Sequence, residues 1–181
     1  MTMTRRRSDR QDSAGIVPET SQVAKLQFVT FTVAEQRYGL DILMVREIRI
    51  WSGATSLPNA PAQVRGVINL RGSIIPVIDM RVMFGMAPTA TSETSVVVIV
   101  AASSGLTGLL VDSVNDIIAV DASEISALPP TVGIEKESCF KGLISAGEGL
   151  VAVLDLDSVA ARPSTSLAGP LTNFPETSHA A

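Results

Sequence analysis

Very few side chains in this sequence could take part in acid–base, nucleophilic or metal chemistry. The chain has one histidine, His179, two residues from its C-terminal end, and one cysteine, Cys139. A catalytic triad needs a histidine held beside a nucleophile, and His179 stands in a polar terminal stretch. A single cysteine cannot form an internal disulfide or provide a pair of thiolate ligands for zinc. We predict that Cys139, next to Phe140, is a thiol packed in the core.

Two aspartates are the remaining candidates for chemistry. Asp79 ends the apolar run IIPVID, and Asp155 ends the similar run LVAVLD. A pair of carboxylates can act as general acid and base when the two groups converge. Each aspartate also precedes a helical-looking segment, MRVMFG or LDSVAA, and aspartate is a preferred helix N-cap. We therefore predict two helix caps at equivalent positions rather than one catalytic pair.

The sequence also lacks the usual signatures of cofactor and metal sites. It contains no Walker-type loop, no GxGxxG motif after a strand, and no histidine, cysteine and carboxylate cluster with metal-ligand spacing. These features favour a binding protein with no catalytic residues, no metal and no cofactor.

The composition limits the kinds of partner and compartment. Hydrophobic residues make up 46% and charged residues 18% of the chain, which is typical of a globular body. Residues 1–10 carry a net charge of +3, which leaves −7 for the rest of a chain whose total is −4. That balance is not a nucleic-acid-binding pattern. The longest apolar run, residues 96–102, is too short to span a bilayer, and no secretory signal is recognisable. We expect a cytoplasmic protein that neither binds nucleic acid nor inserts into membranes.

The elements that would position any site are short strands, and they occur twice. Residues 26–33 and 45–51 alternate between apolar and polar side chains, as strands do. At an offset of 69, GL and VREI in the first half match GL and VNDI in the second. At an offset of 76, residues 65–79 match residues 141–155. This internal repeat predicts two similar modules.

Strands this short cannot bury both faces in an open sheet, whereas closure into a small barrel removes the exposed edges. We therefore predict a mainly all-β fold, with two five-stranded β-barrels side by side and short connecting helices. Residues 23–90 would form the first barrel, and residues 91–162 the second barrel with a short terminal helix. Flexible tails would comprise residues 1–22 and 163–181.

An arginine at the tip of a very apolar hairpin is the most distinctive local feature. The stretch LPNAPAQVRGVINLRGSIIPVIDMR, residues 57–81, resembles the CheW family of chemotaxis coupling proteins. The features that carry the resemblance are Pro58 and Pro61, the basic Arg65 before Gly66, the NLRG block at residues 69–72, Pro76-Val77, and Asp79 with Arg81. It extends to YGLDILMVREIR at residues 38–49 and, more weakly, to residues 107–118 and 141–144.

The resemblance implies a non-enzymatic scaffold of two SH3-like barrels. Such proteins link methyl-accepting chemoreceptors to the regulatory domain of a CheA-type histidine kinase, and their partners can include other CheW-like domains. The receptor's cytoplasmic tip would lie in an apolar groove between the barrels, with Glu47 at its rim and Arg71 as a charged partner contact. The groove positions are Ile42, Val45, Ile74, Val96 and Val114. The further partner-binding positions implied by the motif are Arg65, Gly66, Asn69, Leu70, Gly72 and Gly108.

Taken alone, these residues also have plainer interpretations. The valines and Ile74 could be core residues, Glu47 and Arg71 solvated surface charges, and Gly66 and Gly72 turn residues. The same fold could serve a chemosensory pathway unrelated to motility. A double barrel that binds a small molecule or hydrolyses one is the alternative from a different class.

Overall fold

A computed structural model describes residues 25–92, 94–129, 139–147 and 149–161. Two short α-helices, α1 (Met80–Met83) and α2 (Leu156–Ala161), and two 3-10 helices, Ile42–Met44 and Ala122–Glu124, connect or end strands. The strands are β1 (Leu26–Val33), β2 (Gln36–Asp41), β3 (Val45–Ile50), β4 (Val64–Leu70), β5 (Ser73–Asp79), β6 (Val96–Ala102), β7 (Gly105–Val111), β8 (Ser113–Val120), β9 (Ile125–Ser126), β10 (Phe140–Ala146) and β11 (Gly149–Leu154). The expected tails, residues 1–22 and 163–181, lie outside the described residues.

The strands form two sheets. Sheet A has the order β8-β1-β2-β11-β10-β9, and sheet B has the order β3-β6-β7-β5-β4. Neighbours are antiparallel except for two pairs, β2 with β11 and β5 with β7, which are parallel. The prediction of an all-β fold built from two small barrels with only short helices is confirmed; the two-residue strand β9 gives sheet A a sixth member.

Each sheet takes strands from both halves of the chain. Sheet A combines β1 and β2 with four later strands, and sheet B combines β3, β4 and β5 with β6 and β7. The boundary expected near residue 90 therefore does not separate the barrels, which differs from the prediction that residues 23–90 and 91–162 each form one. The physical reason is the parallel pairing, because β5 completes its sheet against β7, and β11 completes its sheet against β2.

The described residues form one apolar core between the sheets and one belonging to each sheet. The central cluster joins Phe31, Tyr38 and Leu40 of sheet A to Ile78 and Leu109 of sheet B. A second cluster lies wholly on sheet A and a third wholly on sheet B. The shared cluster is apolar on both sides, so the two barrels are held together by burial of hydrophobic surface.

Cys139 is a member of that central cluster and is only 3% exposed. The ring of Tyr38, at the centre of the same cluster, stacks with Phe84 at a centroid distance of 4.8 Å and with Phe140 at 6.0 Å. The prediction of a packed thiol is confirmed, since the cysteine is enclosed by aliphatic and aromatic side chains.

The two aspartates end strands of different sheets. Asp79 Oδ1 accepts hydrogen bonds from the backbone N–H groups of Arg81 at 3.0 Å and Val82 at 3.4 Å, which confirms the predicted cap of α1. Its carboxylate also accepts bonds from the backbone N–H and hydroxyl of Thr89, at 3.0 and 2.8 Å. Asp155 directly precedes α2 and accepts a 2.9 Å bond from the Ser158 hydroxyl. Both carboxylates therefore serve local structure at the starts of equivalent helices.

A polar contact ties the two sheets together at one end. Arg81, in α1, donates from Nε and Nη2 to the two oxygens of Asp112 at 2.9 and 2.7 Å. Asp112 Oδ2 also accepts a 2.7 Å bond from the Ala34 N–H in the turn between β1 and β2. Partial burial by itself raises the pKa of Asp112, but these hydrogen bonds outweigh it and hold the pKa below its ordinary value of 3.8.

Candidate partner-binding surface

The NLRG block forms the tight turn of the β4–β5 hairpin. Arg71 and Gly72 are its two central residues, with φ angles of +52° and +91°. Two consecutive positive φ values are typical of the turns that match the twist of antiparallel strands. Asn69 Oδ1 accepts a 2.8 Å hydrogen bond from the Gly72 N–H and so fixes the turn. Asn69 and Gly72 therefore shape the hairpin, and the turn carries Arg71 outward with its side chain 83% exposed.

Arg71 is paired within the chain. Its Nη2 donates to Glu47 Oε2 at 3.2 Å, and Glu47 Oε1 lies 3.7 Å from Nε of Arg49. Glu47 is on β3 and the hairpin belongs to β4, so the ion pair links the two edges of sheet B. An exposed pair of this kind contributes only about 0.2–1 kcal/mol. The hydrogen bond to Glu47 orients the guanidinium, and the exposed side chain of Arg71 remains open to a partner.

Two of the predicted glycines are required by the packing of sheet B. Gly66 has a φ of +145°, and a Cβ there would lie 2.4 Å from the backbone oxygen of Thr55. Thr55 and Val67 exchange two backbone hydrogen bonds of 2.9 and 2.8 Å, which join the segment after β3 to the free edge of β4. At Gly108 a Cβ would lie 2.9 Å from a methyl group of Val97. These contacts give both glycines a structural role, because a side chain at either position would collide with a neighbour.

Arg65 lies near Asp79, the last residue of β5 and the N-cap of α1. Its Nη1 is 3.9 Å from the buried Asp79 Oδ2, and its side chain is 36% exposed. The repeat places Lys141 in the same relation to Asp155, at 3.8 Å. This basic position therefore balances a capping carboxylate in each barrel.

Three of the five groove positions converge on the junction of the barrels. Val45, Val96 and Val114 are partly buried and pack against the central cluster. Val45 and Val114 are equivalent in the internal repeat, and they approach the cluster from opposite sheets. Ile42 begins the 3-10 helix that lies beside both β1 and β6, at the same junction. Ile74 is elsewhere, 50% exposed on the hairpin; Leu70, also on the hairpin, packs against the core of sheet B.

Sequence reasoning missed several exposed aliphatic residues near this junction. Leu43 of the 3-10 helix is 77% exposed, and Ile50 at the end of β3 is 74% exposed. Ile48 and Ile50 lie opposite Val98 and Val96 in the β3–β6 ladder, so they share the sheet face that continues into the central cluster. The alternation of residues 45–51 placed both isoleucines on one side of the strand, and this was the available signal.

Exposed apolar side chains of the hairpin and the junction have exposed counterparts at the equivalent positions of the internal repeat. Ile74 corresponds to Leu150, which is 61% exposed, and Ile48 corresponds to Ile117, which is 58% exposed. Exposed aliphatic side chains that recur on two rigid sheets are typical of protein-binding surfaces. Within residues 25–92, 94–129, 139–147 and 149–161, no three carboxylate, histidine or cysteine side chains are arranged to hold a metal ion. None of the described helices is long and apolar enough to cross a membrane.

Comparison with known proteins agrees with this arrangement. The CheW-like domain family matches residues 27–164. The chain is 35% identical over 133 residues to the chemotaxis protein CheW of Rhizobium meliloti, covering 74% of this chain and 86% of that protein. It is 32% identical over 141 residues to CheW of Klebsiella aerogenes, covering 78% and 85%. The crystal structure of the scaffolding protein TtCheW from Thermoanaerobacter tengcongensis superposes with a TM-score of 0.68 at 34% identity, over 73% of this chain and 85% of that one.

The family match spans both barrels and includes the hairpin, the junction and the capping aspartates described above. The chain therefore belongs to the CheW family and is a chemotaxis scaffold of the CheW type.

Proposed function

We propose that this chain couples methyl-accepting chemoreceptors to the regulatory domain of a CheA-type histidine kinase, without catalysing a reaction itself. The observation that carries this proposal is the presence of two exposed surfaces on one β body, which meet at the Arg71–Glu47 contact. One is the junction with Leu43, Ile48 and Ile50, and the other is the hairpin with Arg71 and Ile74. A bridging protein needs two such surfaces that can be occupied at the same time.

The junction suits a helical partner. Leu43 stands on the 3-10 helix, and Ile48 and Ile50 stand on β3, next to the partly buried valines. An amphipathic helix binds by laying its apolar face on aliphatic side chains of this kind. We assign the cytoplasmic tip of the receptor to this surface and propose that the chain acts in the cytoplasm at receptor arrays.

The hairpin suits a partner that presents a carboxylate beside an apolar patch. Arg71 is oriented by one oxygen of Glu47 and keeps free N–H donors, and a guanidinium can bind a second carboxylate through them. The half-exposed Ile74, two residues after the turn, supplies adjoining apolar surface. We assign the kinase regulatory domain to this surface.

Calorimetric titration tests the kinase assignment. The unchanged chain is expected to bind the regulatory domain with a dissociation constant of roughly micromolar size, and Arg71→Glu is expected to weaken that binding at least tenfold. Lys25→Glu makes the same charge change at an exposed position next to sheet A and serves as the matched control. Absence of binding by the unchanged chain, or equal weakening by both variants, would contradict the assignment.

The receptor assignment has its own test. Leu43→Glu places a charge on a 77% exposed side chain and should leave the fold unaltered while abolishing binding of a receptor tip fragment. Leu106→Glu, on the exposed β6–β7 turn side of sheet B, is the control and should bind normally. A receptor fragment that binds Leu43→Glu as tightly as the unchanged chain would remove the junction as its site.

A further inference from the structure

A pocket of about 410 Å³ opens between the two edges of sheet B, and its lining includes Ile50 of the junction and Asn69 of the hairpin. One wall is the end of β3 and the segment that follows it, from Arg49 through Trp51 to Thr55, and the other is β4 at residues 67–69. Val97 of β6 lies at its base. The pocket therefore combines a large aromatic side chain, aliphatic groups and one cationic side chain, Arg49, that is 44% exposed.

The β4 side of this pocket is a strand edge with unused pairing capacity. Val67 exchanges both of its outward backbone hydrogen bonds with Thr55. Outward-facing groups recur at every second residue of an antiparallel edge, so the next outward N–H and C=O belong to Asn69. Asn69 lies opposite Ile74 in the hairpin and lines the pocket. An extended segment laid in the pocket would continue the ladder that Thr55 begins.

The chain itself carries a segment of suitable chemistry beyond its described part. Residues 171–174, with the sequence LTNF, lie between Pro170 and Pro175. Proline favours extended backbone in the residue before it and limits how far a strand can continue, so this sequence suits a short added strand. Phe174 provides an apolar side chain for the Trp51 wall, and Glu176 provides the opposite charge for Arg49.

The described part of the chain ends at α2, from which residues 171–174 can reach the pocket. The helix α2 contacts β6, and Ser103, directly after β6, donates a 2.9 Å bond to Asp157 of α2. From that end of β6 to Val97 at the pocket is about 17 Å along the strand. Residues 162–170 can span up to about 30 Å when extended, which is enough to bring residue 171 to the pocket.

We propose that residues 171–174 of the same chain occupy the pocket between β3 and β4, pairing with the Asn69 edge and packing Phe174 near Trp51. The occupied pocket adjoins the hairpin that carries Arg71. The tail would then compete with the partner bound there, a consequence that rests on the proposed function, whereas occupancy of the pocket does not.

Trp51 is the only tryptophan in the chain and lines the pocket, so its fluorescence reports occupancy directly. In the full chain the emission is expected to be blue-shifted, and acrylamide quenching at least twofold weaker, relative to a full-length variant with Leu171→Asn and Phe174→Ser. Leu167→Asn, in the same tail but outside the segment, is the control and should behave as the unchanged chain. A synthetic peptide of residues 168–178 added to the double variant should restore the emission.

Identical emission and quenching of the unchanged chain and the double variant would overturn the proposal. So would emission that changes with protein concentration, because that would place the tail of another copy in the pocket. The measurement uses no receptor or kinase, so its outcome is independent of the proposed function. If the tail does occupy the pocket and kinase binding is also found, the double variant should bind the kinase more tightly.

Discussion

Replacing Gly66 by alanine is expected to open the seam that joins the two edges of sheet B. The new Cβ would lie 2.4 Å from the Thr55 carbonyl oxygen, and Thr55 can move away only by giving up its two backbone hydrogen bonds with Val67. Loss of two backbone hydrogen bonds at about 1 kcal/mol each, with strain of about 1–2 kcal/mol at a positive φ, gives a destabilisation of about 3–4 kcal/mol.

Gly72→Ala is the matched control in the same hairpin. Gly72 also has a positive φ, +91°, but a Cβ there meets nothing within 4 Å. Only the backbone strain remains, and part of it is offset by the lower entropy of the unfolded chain, so we expect about 1 kcal/mol. For a body of this size the two values correspond to losses in Tm of about 10 °C and about 3 °C.

Urea unfolding followed by circular dichroism, with thermal unfolding alongside, measures both variants. We expect Gly66→Ala to be clearly the less stable of the two variants. Equal destabilisation would mean that the contact with Thr55 is relieved at little cost and that the seam does not close the barrel.

Three further changes probe other parts of the fold. The pKa of Asp112 is lowered in the folded chain, so the ionised carboxylate stabilises the fold above pH 3.8, the ordinary pKa, and this contribution is lost as the pH falls through the lower folded pKa. Asp112→Asn should therefore destabilise the chain more at pH 7 than at pH 3 in urea titrations. An equal loss of stability at both pH values would exclude the Arg81 contact as the cause. Gly108→Ala, whose Cβ would lie 2.9 Å from Val97, should cost about 1–3 kcal/mol by overpacking, measured by the same unfolding assay, and no loss would show that β6 can shift freely. The Cys139 thiol should react with a thiol reagent many times more slowly in the native chain than in urea, and equal rates would show that the central cluster opens readily.

Local features of the fold were predictable because they depend on neighbouring residues. Alternation of apolar side chains indicated β1 and β3, and the NLRG block indicated the hairpin turn. An aspartate before a helical-looking segment indicated the cap of α1, which Asp79 forms. Each of these depends on backbone geometry within a few residues, where residue type has a direct effect.

The exchange of strands between the barrels was not predictable from the repeat. The repeat makes β2 equivalent to β7 and β5 equivalent to β11. This equivalence would exist whether the strands of each half paired with one another or with strands of the other half. The choice is made by side-chain packing at the parallel pairs, where Val77 lies beside Gly108 and Val153 beside Gly39. Such long-range complementarity has no signature in a single sequence.

The candidate surfaces were only partly predictable for a similar reason. Val45, Val96 and Val114 pack against the central cluster, and their role in partner binding stays a prediction; the exposure of Leu43 and Ile50 depends on what the fold leaves uncovered. The pairing of Arg71 with Glu47 joins residues 24 positions apart on different edges of a sheet. Nothing in the charge pattern specifies that contact.

Co-sedimentation of the kinase with receptor-containing membranes measures whether one molecule of this chain bridges receptor and kinase. We predict that the kinase sediments only when this chain is present, and that Leu43→Glu and Arg71→Glu each abolish sedimentation while remaining folded. Sedimentation of the kinase that is unaffected by the chain, or by either variant, would contradict the bridging role.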